Sequence, residues 1–271
     1  RSYLHRAIMN NGYKLNTGFL GTAILNQTLT ENGYNDDAYT LLLQRNDPSW
    51  LYSIDQGATT IWERWNSYTV ANGYGPVSMN SFNHYAYGVV AEWMFQYMAG
   101  ITPNEAQPGF KHFFLQPNPD TRSVLRYSQK RITNTDADFA SDYGQIRAKW
   151  ECDGTKEMTY QVTIPANTSA TLRLPTGDGL YIYEGAKLAE EAEGVQYVGT
   201  SEGYATYNVG SGSYIFTVST EDPTSIKSID EAASLNDNPK EQIYYSLDGK
   251  KLPNDSVHGI IVTEGKKKIV K

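Results

Sequence analysis

The sequence predicts an α-then-β protein: a helical segment, an antiparallel β-sandwich and a short β tail. Three observations predict it. Up to about residue 105, apolar residues recur at the 3.6-residue spacing of helices. Beyond it they alternate with polar residues, the period of strands with one buried face. From about residue 221 the polar stretch EDPTSIKSIDEAASLNDNPKEQ has the composition of a linker, and two more strand-like runs follow. These changes divide the chain into 1–105, 106–220 and 221–271.

Within the first part, GFLGTAILNQTLTEN at 18–32 places Phe19, Leu20, Ala23, Ile24 and Leu29 at helical spacing, with Thr17 as the expected N-cap and Gly33 as the stop. A second helix starts at Asn35, carries Asp36 and Asp37 in its first turn where they favour the helix dipole, and stops by Asp47–Pro48. The strongest helical pattern is FNHYAYGVVAEWMFQYMA at 82–99, capped by Ser81, with Phe82, Tyr85, Val89, Trp93 and Tyr97 in register and Gly100 and Pro103 ending it. Residues 48–80 form a long aromatic, glycine-rich connection, and such connections tend to carry function.

In the second part, Val124, Arg126, Ser128 and Lys130 oppose Leu125, Tyr127, Gln129 and Arg131. Ile146, Ala148 and Trp150 predict a strand, and Met158, Tyr160, Val162 and Ile164 another, with Asp153–Gly154 as a turn between them. TLRLP, LYIYEG, YATYNVG and SYIFTVS continue the pattern, which reads as a sandwich of roughly a hundred residues. The tail runs IYYSLDGKKL and GIIVTEGKKKIVK each hold a turn signal, Asp248–Gly249 and Glu264–Gly265.

Composition removes several classes of function. The net charge is −7 over 271 residues, with no long basic run before the last few, which argues against nucleic acid as a partner. No apolar run approaches the roughly 20 residues of a membrane span. A single cysteine, Cys152, precludes an internal disulfide. Aromatics make up 13% of the chain, with 21 Tyr and 5 Trp, a surplus that fills cores and also suits sugar rings, whose C–H faces stack on aromatic faces. The chain opens RSYLHRAIMNNGYKL, already helical in pattern and without Met, so an upstream portion is expected.

The chemistry concentrates in residues 48–84, which hold Trp50, Asp55, Trp62, Glu63, Trp65 and His84. In GATTIWERW, Glu63 and Arg64 lie between two tryptophans. Apolar rings disfavour a charged carboxylate and a guanidinium favours it, a balance that suits a tuned acid or base. Taken alone, the string is better explained by an ordinary Glu63–Arg64 ion pair beside packed tryptophans. His84, placed near a helix N-terminus, would act as a neutral hydrogen-bonding group or as a structural histidine. His5, His112 and His258 are scattered, and no HxH, HExxH or cysteine cluster occurs, so no metal site is expected. No glycine loop followed by lysine and no GxSxG elbow is present, and Cys152 has no evident base, so no cofactor is expected either.

Three stretches together carry a resemblance: LNTGFLGT at 15–22, PSWLYSIDQGATTIWERWNSY at 48–68 and SMNSFNHYAYGVVAEWMFQYMAGI at 78–101. They are similar to the catalytic domain of bacterial α-L-rhamnosidases, family seventy-eight of the glycoside hydrolases. PGFKHFFLQPNP at 108–119 and PANTSATLRLP at 165–175 resemble the passage into that family's C-terminal β-sandwich. The resemblance covers about residues 1–219. It implies the last helices of an (α/α)6 barrel, an inverting hydrolase, and a rhamnose-containing oligo- or polysaccharide as substrate. It implies Glu63 as general base and His84 as a sugar contact, with Trp50 and Trp62 as candidate stacking walls. The family's general acid lies in an acidic stretch that has no counterpart here. The tail at 243–271 resembles C-terminal extensions of secreted polysaccharide-degrading enzymes, which implies an extracytoplasmic location. Two rival readings are a carbohydrate-binding role for the sandwich, through LYIYEG and YATYNV, and a different reaction on the same barrel.

Overall fold

A computed structural model describes residues 2–221 and, beyond them, strands at 244–245, 251–252, 259–263 and 266–270. Residues 1–221 make one compact unit and 222–271 a second. The expected linker at 221–242 and the turn residues Asp248, Gly249, Glu264 and Gly265 fall outside the described residues, Glu221 apart. In the second unit the strand order is 251–252, 244–245, 259–263, 266–270, all antiparallel.

The first unit begins with helices α1 (Ser2–Asn10), α2 (Phe19–Glu31), α3 (Asn35–Leu42) and α4 (Trp50–Asp55). Gly18, not Thr17, takes the N-cap position of α2; the Thr17 hydroxyl is bonded instead to that of Thr22 at 2.9 Å. Gly33 follows the C-cap with φ +82°, a left-handed conformation natural to glycine. Helix α4 lies inside the connection that reads as loop. Ser49 caps it by accepting from the Tyr52 N–H.

The expected helix at 82–99 starts later and is irregular. A 3₁₀ turn (Tyr85–Val89) leads into α5 (Val90–Trp93) and then a π-turn (Met94–Met98). Residues 81–84 stay out of the helix, with a bend at Phe82–Asn83, because their backbone is bonded elsewhere: the Glu63 N–H donates to Ser81 O at 2.9 Å and the His84 N–H to Ile61 O at 2.8 Å. The same two segments are thus held side by side, which the helical periodicity does not reveal.

Two short strands, β1 (Tyr68–Thr69) and β2 (Gly73–Tyr74), pair within the 48–80 connection, and the sandwich that follows packs a five-stranded sheet against a six-stranded one. The first comprises β3 (Ile101–Pro103), β4 (His112–Leu115), β8 (Ser169–Pro175), β11 (Val195–Ser201) and β12 (Tyr204–Val209). The second comprises β5 (Asn134–Ser141), β6 (Gly144–Glu151), β7 (Met158–Ile164), β9 (Tyr181–Glu184), β10 (Lys187–Leu188) and β13 (Gly212–Ser219). The order is β11-β12-β8-β4-β3 in the first sheet and β10-β9-β13-β7-β6-β5 in the second, and all neighbours are antiparallel except β4 and β8, which run parallel. The inward residues Trp150, Tyr160, Leu172, Leu174 and Phe216 are fully buried.

The alternating run 124–131 is not a strand. Arg122 is buried and grips the Asp120 carboxylate with two bonds, from Nε at 2.7 Å and Nη2 at 2.8 Å. Its Nη1 donates to Gln129, whose amide in turn donates to Thr40 O at 2.9 Å. The segment folds around this guanidinium, and Tyr127 and Ser128 adopt φ +54° and +58°, which no strand accommodates.

The end of the helical segment is welded to the sandwich by hydrogen bonds. The last carbonyls of a helix have no partner within it. Here Tyr97 O accepts from the Asn118 side chain at 2.8 Å, Met98 O from the Trp150 indole at 2.7 Å and Ala99 O from the Tyr160 hydroxyl at 2.9 Å. Gly100, at φ +89°, then turns the chain into β3, and the Gln116 N–H donates to Gly100 O at 2.9 Å.

Candidate active site

The WERW turn is built by its backbone. Ser53 Oγ donates to Trp65 O at 2.7 Å, tying the turn to α4, and the Ser67 hydroxyl donates back to Arg64 O at 3.1 Å. Glu63 faces the segment 81–84. Its N–H donates to Ser81 O, and the Ser81 N–H donates to Glu63 Oε2 at 2.8 Å. One carboxylate oxygen is therefore held by a fixed backbone donor, and the second has no hydrogen bond among the described residues. Glu63 and Arg64 do not pair: among the described residues Glu63 forms no ion pair, so the electrostatic explanation of the string is not met.

Both side chains instead line a cavity of about 440 Å³ with Gly18, Phe19, Ser78, Met79 and Tyr87. That volume lies within the roughly 300–1,000 Å³ of small-molecule sites. Glu63 is the one carboxylate of this lining. Gly18 keeps its side open, since an added Cβ would meet nothing within 4 Å.

Aromatic rings back the cavity in a continuous chain. Trp50 meets Trp65 edge to face at 5.7 Å, Trp65 stacks on Tyr87 at 3.8 Å, Phe19 leans on Tyr87 at 5.0 Å, and His84 stacks on Phe19 at 4.7 Å. The two tryptophans expected as stacking walls have packing roles instead. Trp50 is buried and its indole N–H donates to Tyr87 O at 2.8 Å. Trp62 is buried edge-on against Phe82. Trp50 is thus both buried and hydrogen-bonded, Trp62 is buried, and neither is part of the cavity lining. The rings that reach the cavity are Phe19 and Tyr87. Burial raises the Tyr87 phenol above its usual range.

His84 sits at the entry to the 3₁₀ turn in extended conformation, not in the first turn of a helix. It is half-buried between Phe19 and Tyr85, and its Nδ1 is buried with no partner among the described residues. Asp55 is paired with Arg45. His5 bonds Asp37, and His112 bonds Ser169 and Thr171, so both histidines are structurally engaged; His258 lies outside the described residues. Cys152 is buried and free. Among the described residues no group of His, Cys, Asp and Glu is arranged to hold a metal, and no helix is long and apolar enough to cross a membrane.

Phe19, Tyr87 and Gly18 escape a residue-by-residue reading because each looks like a helix residue or cap. The signal for Gly18 and Phe19 is the LNTGFLGT stretch, which shares in the resemblance without containing an acid, base or nucleophile.

Comparison with known proteins gives the same picture from outside. Residues 1–98 match the bacterial alpha-L-rhamnosidase 6 hairpin glycosidase domain, and residues 100–189 match the bacterial alpha-L-rhamnosidase C-terminal domain. An α-L-rhamnosidase of Formosa agariphila is 43% identical over 162 residues, 60% of this chain and 16% of that protein. One of Streptomyces avermitilis is 38% identical over 211 residues, 76% of this chain and 18% of that protein. The crystal structure of Streptomyces avermitilis α-L-rhamnosidase complexed with L-rhamnose superposes with TM-score 0.66 at 36% identity, covering 79% of this chain and 19% of that one. The α-L-rhamnosidase from Dictyoglumus thermophilum superposes with TM-score 0.65 at 28% identity, covering 80% and 22%. The chain thus spans less than a quarter of the length of these relatives. With both domain matches in sequence order, and a helical part followed by a sandwich, the chain belongs to the bacterial α-L-rhamnosidase family.

Proposed function

We propose that this chain carries the general-base half of an inverting α-L-rhamnosidase that releases terminal rhamnose from a glycan or glycoside. The observation that carries the reading is Glu63. It is the one carboxylate on the wall of a sugar-sized cavity, and one of its oxygens is held by the Ser81 N–H. An inverting hydrolase needs a base to take a proton from water as that water attacks the anomeric carbon, and an acid to protonate the departing oxygen, roughly 6.5–9.5 Å away. Glu63 is oriented for the first task, with its second oxygen free to receive the proton. The acid is assigned to a part of the catalytic domain outside these 271 residues.

The remaining lining suits a deoxy-hexose. Phe19 and Tyr87 offer apolar surface to the C–H face and the methyl group of rhamnose, Arg64 offers donors to its hydroxyls, and His84 borders the same wall through Phe19. The solved relative with L-rhamnose bound supports the choice of sugar. The test is proton NMR of the first product formed by the full-length enzyme from an aryl α-L-rhamnoside. Initial appearance of β-L-rhamnose is expected. Initial α-L-rhamnose would show retention and remove the base role.

A further inference from the structure

We propose a second carbohydrate-binding site on this chain: a groove where the helical part meets the five-stranded sheet, built to take an uncharged oligosaccharide segment. It shares no lining residue with the Glu63 cavity. One cavity there, of about 550 Å³, is adjoined by another of about 640 Å³, and the two have Thr30, Gly33, Asn118 and Tyr204 in common, so the concavity is elongated.

Its lining has the composition of a sugar site. Tyr97, Phe114 and Tyr204, from the π-turn, β4 and β12, are three half-buried rings in one cavity. Arg173 lies over the Tyr204 ring with its guanidinium carbon 5.0 Å from the ring centre. Polar groups are fixed beside these rings. The Tyr97 hydroxyl donates to Glu31 Oε1, and Arg173 donates to Gln116 Oε1 at 3.2 Å. A guanidinium has five N–H donors, and this one bond leaves most of them open. Glu31 likewise keeps an oxygen free of hydrogen bonds among the described residues.

The mixture selects the ligand class. Sugar hydroxyls both donate and accept, so they satisfy a carboxylate and a guanidinium together while C–H faces cover the rings. A polyanion is disfavoured, because across the two cavities Asp36, Glu31 and the rim residue Glu202, 3.7 Å from Arg173, outnumber the cations Lys156 and Arg173. An elongated groove accommodates several sugar units. The choice of ligand rests on the glycoside-hydrolase reading above; the site itself does not.

The test is calorimetric titration of the 271-residue chain and of its Tyr204→Ala and Arg173→Gln variants, with melting temperatures recorded. The probes are L-rhamnose and a neutral, β-linked, rhamnose-capped hexasaccharide. The hexasaccharide is expected to bind at least about tenfold more tightly than L-rhamnose. Each groove variant is expected to lose about tenfold for the hexasaccharide and nothing for L-rhamnose. Equal affinity for the two probes, or a hexasaccharide advantage that survives in both folded variants, would overturn the proposal. Arg173→Gln keeps the test decisive if Tyr204→Ala does not fold. A Tyr204-dependent hexasaccharide signal without any L-rhamnose binding would uphold the groove and count against the Glu63 cavity as a rhamnose site.

Discussion

The Ser81 N–H donates to Glu63 Oε2 at 2.8 Å, and the Glu63 N–H donates back to Ser81 O at 2.9 Å. This reciprocal pair sets both the backbone and the carboxylate of Glu63 from a single residue. It also explains why no helix begins before Tyr85: backbone groups of Ser81 and His84 are engaged with 61–63 and are not free to start one.

The pair separates side-chain from backbone effects at Ser81. Ser81→Ala keeps the N–H and should leave kcat of the full-length enzyme within about twofold. Ser81→Pro removes the donor and should lower kcat by tenfold or more, on the order expected when a catalytic group is misplaced by about 1 Å. Steady-state kinetics on an aryl rhamnoside, with melting temperatures as the folding control, distinguishes the two. Equal kcat for both variants would deny the N–H any part in catalysis.

Gly100 is the hinge point of the chain between helix and sandwich. It combines φ +89° with a Cβ position 2.4 Å from the Gln116 carbonyl carbon, a backbone atom that cannot yield. Gly100→Ala should therefore destabilise the first unit by at least about 2 kcal/mol, the sum of left-handed strain and collision. Urea denaturation measures it. Gly33→Ala is the matched control: φ is +82° there but the Cβ meets nothing within 4 Å, so only the strain component should appear, about 1 kcal/mol.

Cys152 gives a pH-dependent readout of the sandwich. Burial is the main cause that pushes its thiol above the ordinary value near 9.0. A raised pKa in the folded state means that the thiol's contribution is whole below that ordinary value and is lost as pH rises through the folded one. Stability should thus fall on the alkaline side, and Cys152→Ala should flatten that limb. At pH 8 an aromatic disulfide reagent should label the native chain slowly and the urea-unfolded chain within its usual reaction time. Rapid labelling of native protein would contradict the buried placement.

The sequence made the architecture legible where one physical signal dominates. Periodicity located β6, β7 and β8, whose residues are buried in alternation, and it found α2 and α3 although Leu20 and Ile24 of the expected α2 stripe are exposed and α3 is buried nearly all round. It failed where tertiary bonds override local pattern. Residues 124–131 alternate as a strand does, yet the buried Arg122–Asp120 pair and its Gln129 partner fold them into an irregular wrap. The strand at 134–141, NTDADFAS, is an edge strand with Asp136 and Asp138 on one face, and its inward face is announced by only two apolar residues, Ala137 and Phe139. At the site, Glu63 stood out as a carboxylate between tryptophans. The tryptophans themselves misled, since an aromatic beside a carboxylate reads the same whether it faces a ligand or packs behind it. Phe19 was legible only as part of a longer resembling stretch.

The central claim is that Glu63 activates water. Its most direct test is kcat of full-length Glu63→Gln on an aryl α-L-rhamnoside, beside wild type. The substitution preserves volume and an acceptor oxygen for the Ser81 N–H, so the melting temperature should change by no more than a few degrees. The account predicts a fall in kcat of at least about 10²-fold, the scale of lost general-base catalysis, with KM little changed. Turnover within a few-fold of wild type, in protein that remains folded, would contradict it.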